Sequence, residues 1–344
     1  KSLKLKGYRK TLDKPGELTE LVNVRDVSPK PLTLNFPESN VDIPSGVIYE
    51  ASTTPIDMTS SKENRQLTFS LTMKDQVRIE KTSTFFPDKY SMGLEVKVTN
   101  LSAAPINQNA SLTWYEYVDP KAEVDSYGHD GPVYYISKTM DQQDVKKLET
   151  PKVLGPDVSW AGYESKYFIA SVISQNPALT TISMSKDQTS TVSVSMRGPK
   201  SLIPQGQFGV FNYSLYLGPK DYTTLKGQNL GLENAIDFGS WLKWLAIPLL
   251  WILNTTNQYI GNYGISIIIL TILIKVIFWP LGNMSYKSMK EMQKLQPQLK
   301  ELQEKYKNDK QKLSQETMAL YKANKVNPFG GCLPMLIQIP VFFG

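Results

Sequence analysis

The 344-residue sequence has very few of the side chains that hold metals or carry out nucleophilic chemistry. It contains one cysteine, Cys332, and one histidine, His129. A single cysteine excludes a disulfide framework, and one cysteine with one histidine is too few for a Cys/His zinc site. Glycine-rich phosphate loops and nucleophile elbows are absent as well. The sequence therefore predicts no metal site, no cofactor and no catalytic residue.

Long apolar runs are scarce in the first two thirds of the chain, and no signal-peptide core follows Lys1. With 41% hydrophobic residues, 20% charged residues and a net charge of +6, the averages describe a soluble protein of about two domains. The apolar residues are concentrated in the last third of the chain, however, so these averages describe neither the first two thirds nor the last third. The distribution predicts a polar domain followed by a membrane module.

From about Leu21 to Leu217, polar and apolar side chains alternate with a period of two, which is typical of half-buried strands, and we assign residues 21–232 to one domain. The clearest run is residues 66–73. Similar runs occupy residues 77–84, 93–99, 111–117, 191–196 and 210–217. Pro and Gly pairs, such as Gly131-Pro132, separate these runs. The pattern predicts an antiparallel β-sandwich.

This β-rich region contains few candidates for chemistry. His129 precedes Asp130 in a turn-rich stretch, for which we predict a surface pair without catalytic function. An acidic segment follows one strand and contains Glu116, Asp119, Glu123 and Asp125. Two carboxylates can act as general acid and base on a sugar, but spacing alone does not bring two of them to one cleft. A solvated loop is the prediction, and a membrane-anchored carbohydrate-binding or carbohydrate-active β-sandwich is the alternative.

Residues 241–253 are almost wholly apolar and include Trp241, Trp244 and Trp251. Thirteen residues form about 20 Å of helix, which is too short to cross a hydrocarbon core of about 30 Å. Tryptophan favours the membrane–water interface. We therefore predict an interfacial amphipathic helix in residues 233–258, anchored by these tryptophans. The alternative is a helix packed on the sandwich.

Residues 259–284 have the length and the apolar character of a transmembrane helix, with one charged residue, Lys275, near its middle. A lysine at this depth costs roughly 2.5–3.5 kcal/mol on insertion scales, so it normally faces protein or a water-filled cavity. Thr271 lies one turn earlier on the same face. These two residues predict a hydrophilic groove that attracts acidic groups. The alternative is a lysine that snorkels or pairs with a carboxylate on another helix.

Residues 285–326 follow as a basic, helix-forming stretch, with ten lysines against five acidic residues between positions 286 and 325. The positive-inside rule places this stretch in the cytoplasm and the β-domain outside. We predict an antiparallel coiled-coil hairpin that breaks at Asn308-Asp309 and kinks at Pro297. Its predicted seam consists of Met292, Leu295, Leu299, Leu302, Tyr306, Leu313 and Leu320. Residues 327–344 then predict the start of another transmembrane helix, cut short.

Three stretches of the last third carry a resemblance to a known family. They are Gly-Ile-Ser-Ile-Ile-Ile at 264–269, Gln-Pro-Gln-Leu at 296–299, and Met-Ala-Leu-Tyr-Lys-Ala at 318–323 with Asn-Pro-Phe-Gly-Gly-Cys-Leu-Pro at 327–334. In these motifs and in the order of its segments, the chain resembles the YidC/Oxa/Alb membrane-protein insertases. By texture, residues 21–232 resemble the β-super-sandwich of Gram-negative members with a large periplasmic domain.

The resemblance implies a multi-pass protein of the bacterial inner membrane that inserts and helps to fold other membrane proteins. Residues 1–20 would be a linker after an N-terminal anchor helix, residues 1–232 would be periplasmic, and further spans would follow. The implied partners are nascent membrane proteins, Sec translocon components, the ribosome and membrane lipids, but not DNA. Family members usually carry an arginine in the groove, and Lys275 occupies the matching position here. Lysine is a compact point charge without the bidentate geometry of arginine.

Overall fold

The computed structural model describes residues 2–10, 16–25, 28–41, 43, 47–52, 56–58, 61–121, 128–239, 242–324 and 326. The chain divides into two compact units, Lys1–Ile236 and Asp237–Gly344. The described part of the first unit consists mainly of β-strands, and that of the second consists of α-helices.

The strands of the first unit are short and are joined by turns. In chain order they are β1 (Lys4–Arg9), β2 (Leu18–Glu20), β3 (Thr33–Asn35), β4 (Glu50–Ala51), β5 (Arg65–Met73), β6 (Val77–Phe85), β7 (Ser91–Asn100), β8 (Ile106–Gln108), β9 (Ser111–Tyr117), β10 (Gly131–Ile136), β11 (Thr139–Gln142), β12 (Lys152–Leu154), β13 (Val158–Glu164), β14 (Phe168–Ser174), β15 (Thr181–Lys186), β16 (Thr191–Arg197), β17 (Ser201–Ile203) and β18 (Phe208–Pro219). The six predicted strand runs correspond to β5, β6, β7, β9, β16 and β18. These six predictions are confirmed.

Two large sheets form the sandwich. The nine-stranded sheet has the order β11-β10-β13-β14-β18-β7-β6-β5-β4, and the five-stranded sheet has the order β12-β15-β16-β9-β3. Within both sheets, all pairings between the described strands are antiparallel. Strand β18 lies between β14 and β7, at the centre of the larger sheet. The prediction of a large antiparallel β-rich domain is confirmed.

The main core lies between the two sheets. Alternate residues of β7, namely Leu94, Val96 and Val98, are buried there, as are Val192 and Val194 of β16. This alternation is the one that the sequence pattern predicts, because successive side chains of a strand point to opposite faces of its sheet.

A second, smaller apolar cluster lies on the outer face of the nine-stranded sheet. Trp160 and Tyr216 are fully buried there under a short helix, α1 (Tyr222–Lys226), and a 3-10 helix, Leu232–Ala235. The indole Nε1 of Trp160 donates to the carbonyl oxygen of Leu230 at 3.0 Å. The chain after β18 therefore folds back over its own sheet.

The second unit contains four helices among its described residues: α2 (Lys243–Ile260), α3 (Tyr263–Lys294), α4 (Gln296–Lys305) and α5 (Lys310–Ala323). Within this part of the chain, only α3 is long and apolar enough to cross a membrane. Residues 327–344, for which we predict another span, lie outside the described residues.

The predicted bounds of the interfacial helix differ from the observed ones. The sequence predicts this helix at 233–258, but residues 233–235 belong to the 3-10 helix of the first unit and α2 runs from Lys243 to Ile260. Helix α3 continues beyond residue 284, the predicted end of the span, to Lys294, so the apolar stretch and the start of the basic stretch share one helix. Residues 285–294 are polar but include no proline or glycine, and a change from apolar to charged side chains does not by itself end a helix.

Candidate functional site

A tight turn connects α2 to α3. Gly261 takes the left-handed conformation, with φ 70°, and its amide donates to the carbonyl of Asn257 at 2.7 Å, which ends α2. The next residue, Asn262, caps α3: its Oδ1 accepts from the amides of Gly264 at 2.9 Å and Ile265 at 3.4 Å. The turn therefore satisfies backbone groups of both helix ends without help from the rest of the chain.

The apolar part of α3 covers residues 264–284, and Lys275 is its only charged residue. At a rise of about 1.5 Å per residue, Lys275 lies roughly 15 Å from either end of this stretch. Its side chain is exposed, and so are the neighbouring apolar side chains of Ile272 and Val276. Lys275 therefore lies at the centre of the apolar stretch.

Thr271 lies one turn before Lys275, and the i to i+4 spacing in α3 brings both residues to the same face, as predicted. The hydroxyl of Thr271 donates to the carbonyl of Ile267 at 2.8 Å, so its proton is used within the helix. Among the described residues, no carboxylate lies within salt-bridge distance of Lys275. In the described part of the chain, the charge of Lys275 is therefore not neutralised by an ion pair.

Two of the three tryptophans for which we predict anchoring lie on α2. Trp244 and Trp251 are seven residues apart, so they lie on one face of the helix, and their side chains are 72% and 67% exposed. The third, Trp241, lies outside the described residues.

All seven residues of the predicted seam are buried or half-buried, whereas the lysines of α4 and α5 are exposed. The seam does not begin within one helix, however. Met292 is in α3 and Leu295 is the residue at which α3 ends, whereas Leu299 and Leu302 belong to α4. Pro297 explains this break, because it has no amide hydrogen and lies in the first turn of α4, where none is needed.

A short turn, residues 306–309, separates α4 from α5. Asp309 is the N-cap of α5, and its Oδ1 accepts from the amide of Lys312 at 3.0 Å. The ring of Tyr306 has the ammonium groups of Lys305 and Lys312 at 5.5 and 5.7 Å. The helix break near Asn308-Asp309 therefore lies where the sequence pattern predicts it.

In the β-domain, the prediction of a surface pair between His129 and Asp130 is wrong. The Nδ1 of His129 lies 3.1 Å from Oε1 of Glu164, whose side chain is fully buried at the end of β13. The other Glu164 oxygen accepts from Nζ of Lys220 at 3.0 Å, and Oε1 also accepts from Nε2 of Gln142 at 2.7 Å. Asp130 instead accepts from the hydroxyl of Tyr163 at 2.7 Å. His129 thus belongs to a buried ion-pair network.

The prediction of a solvated acidic loop also fails at Glu116. This carboxyl is half-buried at the end of β9, where the indole of Trp114 donates to its Oε2 at 3.1 Å. Burial raises the pKa of Glu116 to about 8, against the lowering effect of that hydrogen bond and with a contribution from the charge of Asp130. Glu116 and Asp119 line a cavity of about 590 Å³. Glu123 and Asp125 lie outside the described residues.

These observations define a class of protein: an antiparallel β-sandwich domain in one chain with a membrane-type helix that carries a lysine in its apolar centre. Residues 1–252 match the family described as YidC periplasmic domain, and residues 255–344 match the family described as 60Kd inner membrane protein. The chain belongs to the YidC family of membrane-protein insertases.

The relatives named Membrane protein insertase YidC include one from Syntrophus aciditrophicus, which is 60% identical over 344 residues. The match covers 100% of this chain and 63% of that relative. Another, from Geobacter sulfurreducens, is 36% identical over 343 residues and is covered to 64%, again with 100% of this chain. The chain therefore spans slightly less than two thirds of the length of these relatives.

Among solved structures, an alpha-galactosidase from Lactobacillus brevis resembles 62% of this chain at 9% identity, with a TM-score of 0.38 and 33% of that structure covered. A likeness at this level carries no conclusion about activity.

Proposed function

We propose that the protein is a membrane insertase, which inserts other proteins into the bacterial inner membrane and helps them to fold, alone or with the Sec translocon. Two independent features support this proposal: membership of the YidC family and the position of Lys275 in the apolar stretch of α3. The second is the observation on which the mechanism rests, because a charge at this depth is costly unless it faces water or protein.

In the proposed mechanism, Lys275 and Thr271 line a hydrophilic groove that opens to the cytoplasm and to lipid. The positive charge attracts acidic groups of a substrate segment that has to cross the membrane. The groove keeps that segment in polar surroundings over part of its path, so the apolar distance that it has to cross is shorter. The apolar helix of the substrate then moves into the bilayer along the exposed isoleucine and valine side chains of α3, driven by removal of apolar surface from water.

The remaining segments have proposed roles that follow from their charge and amphipathicity. Residues 1–232 would lie in the periplasm, α2 would lie in the membrane interface through Trp244 and Trp251, and residues 285–326 would form a cytoplasmic hairpin. The exposed lysines of α4 and α5 would contact anionic lipid or ribosomal RNA while a nascent chain is received. The β-domain would offer binding surface to Sec components. In this proposal no step requires bond chemistry, so the protein is not an enzyme.

The experiment that tests this function replaces Lys275 in the full-length protein, reconstituted in vesicles with a small single-span substrate that has an acidic translocated segment. We expect Lys275→Ala to lower the insertion rate by about tenfold or more, which corresponds to about 1.4 kcal/mol of lost attraction. Lys275→Arg should retain most of the rate, because it keeps the positive charge.

Lys287→Ala is the matched control, because it removes the same charge from an exposed position of α3 outside the apolar stretch. We expect this variant to insert the substrate at the wild-type rate. Normal insertion of every substrate by Lys275→Ala would rule out the groove role of Lys275. Equal losses in Lys275→Ala and Lys287→Ala would indicate a general effect of helix charge instead.

A further inference from the structure

The first unit contains a cavity that takes no part in the proposed insertion mechanism. Its volume is about 590 Å³, which is within the range of small-molecule sites. It lies where β9 and β13 end and β14 begins, and the residues after β2 form another side. The side chains of Trp114 and Phe168 form apolar wall. Beside them, the side chains of Glu116, Asp130 and Tyr163 supply polar groups.

The two carboxyl groups are held in place by aromatic donors. Trp114 donates its indole N–H to Oε2 of Glu116 at 3.1 Å, and Tyr163 donates its hydroxyl to Oδ1 of Asp130 at 2.7 Å. Trp114 and Tyr163 are buried, with 2% and 6% exposure, so both carboxyl groups are fixed against rigid partners. Each of these hydrogen bonds uses one oxygen of its carboxyl group, and among the described residues no hydrogen bond reaches the second oxygen of either group.

The charges around the cavity are mainly negative. Glu20 and Asp119 also line it, and they are already bonded to nearby groups of the chain. Lys10 is the one cationic residue among the described lining residues, and it is exposed and paired with Glu17 at 3.4 Å. Neither Glu116 nor Asp130 has a cation within salt-bridge distance in the described part of the chain.

Two interacting carboxyl groups without a cation hold a proton that a bound cation can replace. Burial, with a contribution from the charge of Asp130, raises the pKa of Glu116 to about 8. The raised pKa means that the negative charge of Glu116 is poorly stabilised by the groups around it. The pKa of Tyr163 is raised as well, first by burial and then by Asp130, so its hydroxyl stays a donor to Asp130. At neutral pH the side chain of Glu116 therefore holds a proton, and a cation that binds beside it favours the loss of that proton.

The chemistry of the walls distinguishes an organic cation from a metal ion. Within the described residues there is no group of three or more His, Cys, Asp or Glu side chains that could hold a metal ion. The aromatic and aliphatic walls suit an alkyl stem, and aromatic rings stabilise nearby ammonium groups.

We propose that this cavity binds a primary ammonium group on an alkyl stem, with Glu116 and Asp130 as its carboxylate partners and Trp114 and Phe168 against the stem. A lysine side chain of a peptide and a free polyamine share this chemistry. The site does not depend on Lys275 or on the insertase function.

The test is isothermal titration calorimetry of the full-length protein in nanodiscs of neutral lipid, at neutral pH and low salt. The probes are spermidine, an acetylated tetralysine peptide, a tetraglutamate peptide and galactose. We expect at least one of the two cationic probes to bind and tetraglutamate and galactose not to bind. Binding of both cations supports a site open to free polyamines, and binding of tetralysine alone supports a peptide ligand.

Variants assign the binding to the cavity. Glu116→Gln and Asp130→Asn should each weaken it by about tenfold or more, as expected for loss of a charge-assisted hydrogen bond. Glu149→Gln, an exposed change of the same kind outside the cavity lining, should bind like the wild type. Titrations in buffers of different ionisation enthalpy should reveal proton release by the wild type that Glu116→Gln lacks.

Three results would overturn the proposal. These are no heat from either cation up to about 10 mM, which corresponds to less than about 3 kcal/mol of binding, unchanged affinity in folded Glu116→Gln and Asp130→Asn, or galactose binding that competes with spermidine. Thermal unfolding of each variant checks its fold, and the conservative amide substitutions keep the shape of both side chains.

Discussion

Glu164 is the residue on which one end of the β-domain depends. It is fully buried and accepts from Lys220, whose side chain is 10% exposed, and it also contacts His129 and Gln142. Lys220, His129 and Gln142 lie 56, 35 and 22 residues away from Glu164 in the sequence. The network therefore connects the end of β13 to the residue after β18, to the segment before β10 and to the end of β11. A buried charge is tolerated only when its partners are present.

We therefore predict that Glu164→Gln destabilises the β-domain by about 3–5 kcal/mol, because it leaves the ammonium of Lys220 buried without a carboxylate. The measurement is the free energy of unfolding from urea titrations followed by near-UV circular dichroism. Glu149→Gln, at an exposed position, should change it by less than about 0.5 kcal/mol. Equal stabilities of the two variants would mean that the network contributes nothing.

Glu116 gives the β-domain a pH dependence of defined sign. Its pKa of about 8 in the folded protein exceeds the ordinary value of 4.5, so the folded state binds the proton more tightly than the unfolded chain. The resulting stabilisation is complete below pH 4.5 and is lost as the pH rises to about 8. Unlike the usual surface carboxylate, this residue makes the fold less stable as the solution becomes more basic.

The corresponding prediction concerns the difference between the wild type and Glu116→Gln. The variant should be the more stable protein at pH 8 by more than about 1 kcal/mol, since one pKa unit corresponds to about 1.36 kcal/mol. The advantage should disappear near pH 5, as followed by thermal unfolding at several pH values. Other titrating groups cancel in the comparison. Parallel pH profiles would show that Glu116 ionises freely in the fold.

At the scale of elements, the sequence predicted the features that depend on residues close to one another in the chain. Alternation identified β5, β6, β7, β9, β16 and β18, and the helix break near Asn308-Asp309 follows from the Asp309 cap, because both depend on neighbouring residues only. The His129–Glu164 and Tyr163–Asp130 contacts were missed, because each joins the segment before β10 to strand β13, more than 30 residues away in the sequence. The continuity of α3 to Lys294 does not follow from the change of composition near residue 284, because a change from apolar to basic side chains does not by itself end a helix.

The turn between α2 and α3 offers a sharp test of backbone conformation. Gly261 has φ 70°, and a Cβ added there would meet no atom within 4 Å, so any cost of a side chain comes from the backbone alone. We predict that Gly261→Ala destabilises the turn by about 1–2 kcal/mol. Hydrogen exchange of the amides of Gly261 and Gly264 should then accelerate roughly 5–30-fold.

Gly282→Ala is the matched control, because Gly282 lies inside α3 and a Cβ there also meets no atom within 4 Å. Alanine is favoured over glycine in a helix by about 0.5–1 kcal/mol, so this variant should exchange no faster than the wild type. If both variants left exchange at the turn unchanged, the left-handed conformation of Gly261 would not be required.

At the scale of the whole molecule, the sequence identified the two parts of the chain but not the boundary between them. Residues 221–236 have no strand alternation and precede the tryptophan-rich stretch, so part of this segment was predicted to belong to the interfacial helix. In the structure the segment completes the β-domain: Leu225, Leu232 and Ala235 are fully buried over Trp160 and Tyr216. Composition alone does not predict that residues 221–236 cover the sheet, because this packing depends on the apolar side chains on the outer face of the folded sheet.

This cover predicts where the β-domain can be cut. A fragment of residues 1–236 contains both apolar clusters and should unfold in one cooperative transition without the membrane helices. A fragment of residues 1–220 keeps Lys220 but loses the buried Leu225 and Leu232, and burial of one leucine contributes about 1.5–3 kcal/mol. We expect the shorter fragment to be less stable by about 3–6 kcal/mol and to bind a dye for exposed apolar surface through Trp160 and Tyr216. Leu232→Ala in the longer fragment should lose about 2–5 kcal/mol. If the two fragments were equally stable, residues 221–236 would be a linker, and the domain would end at β18.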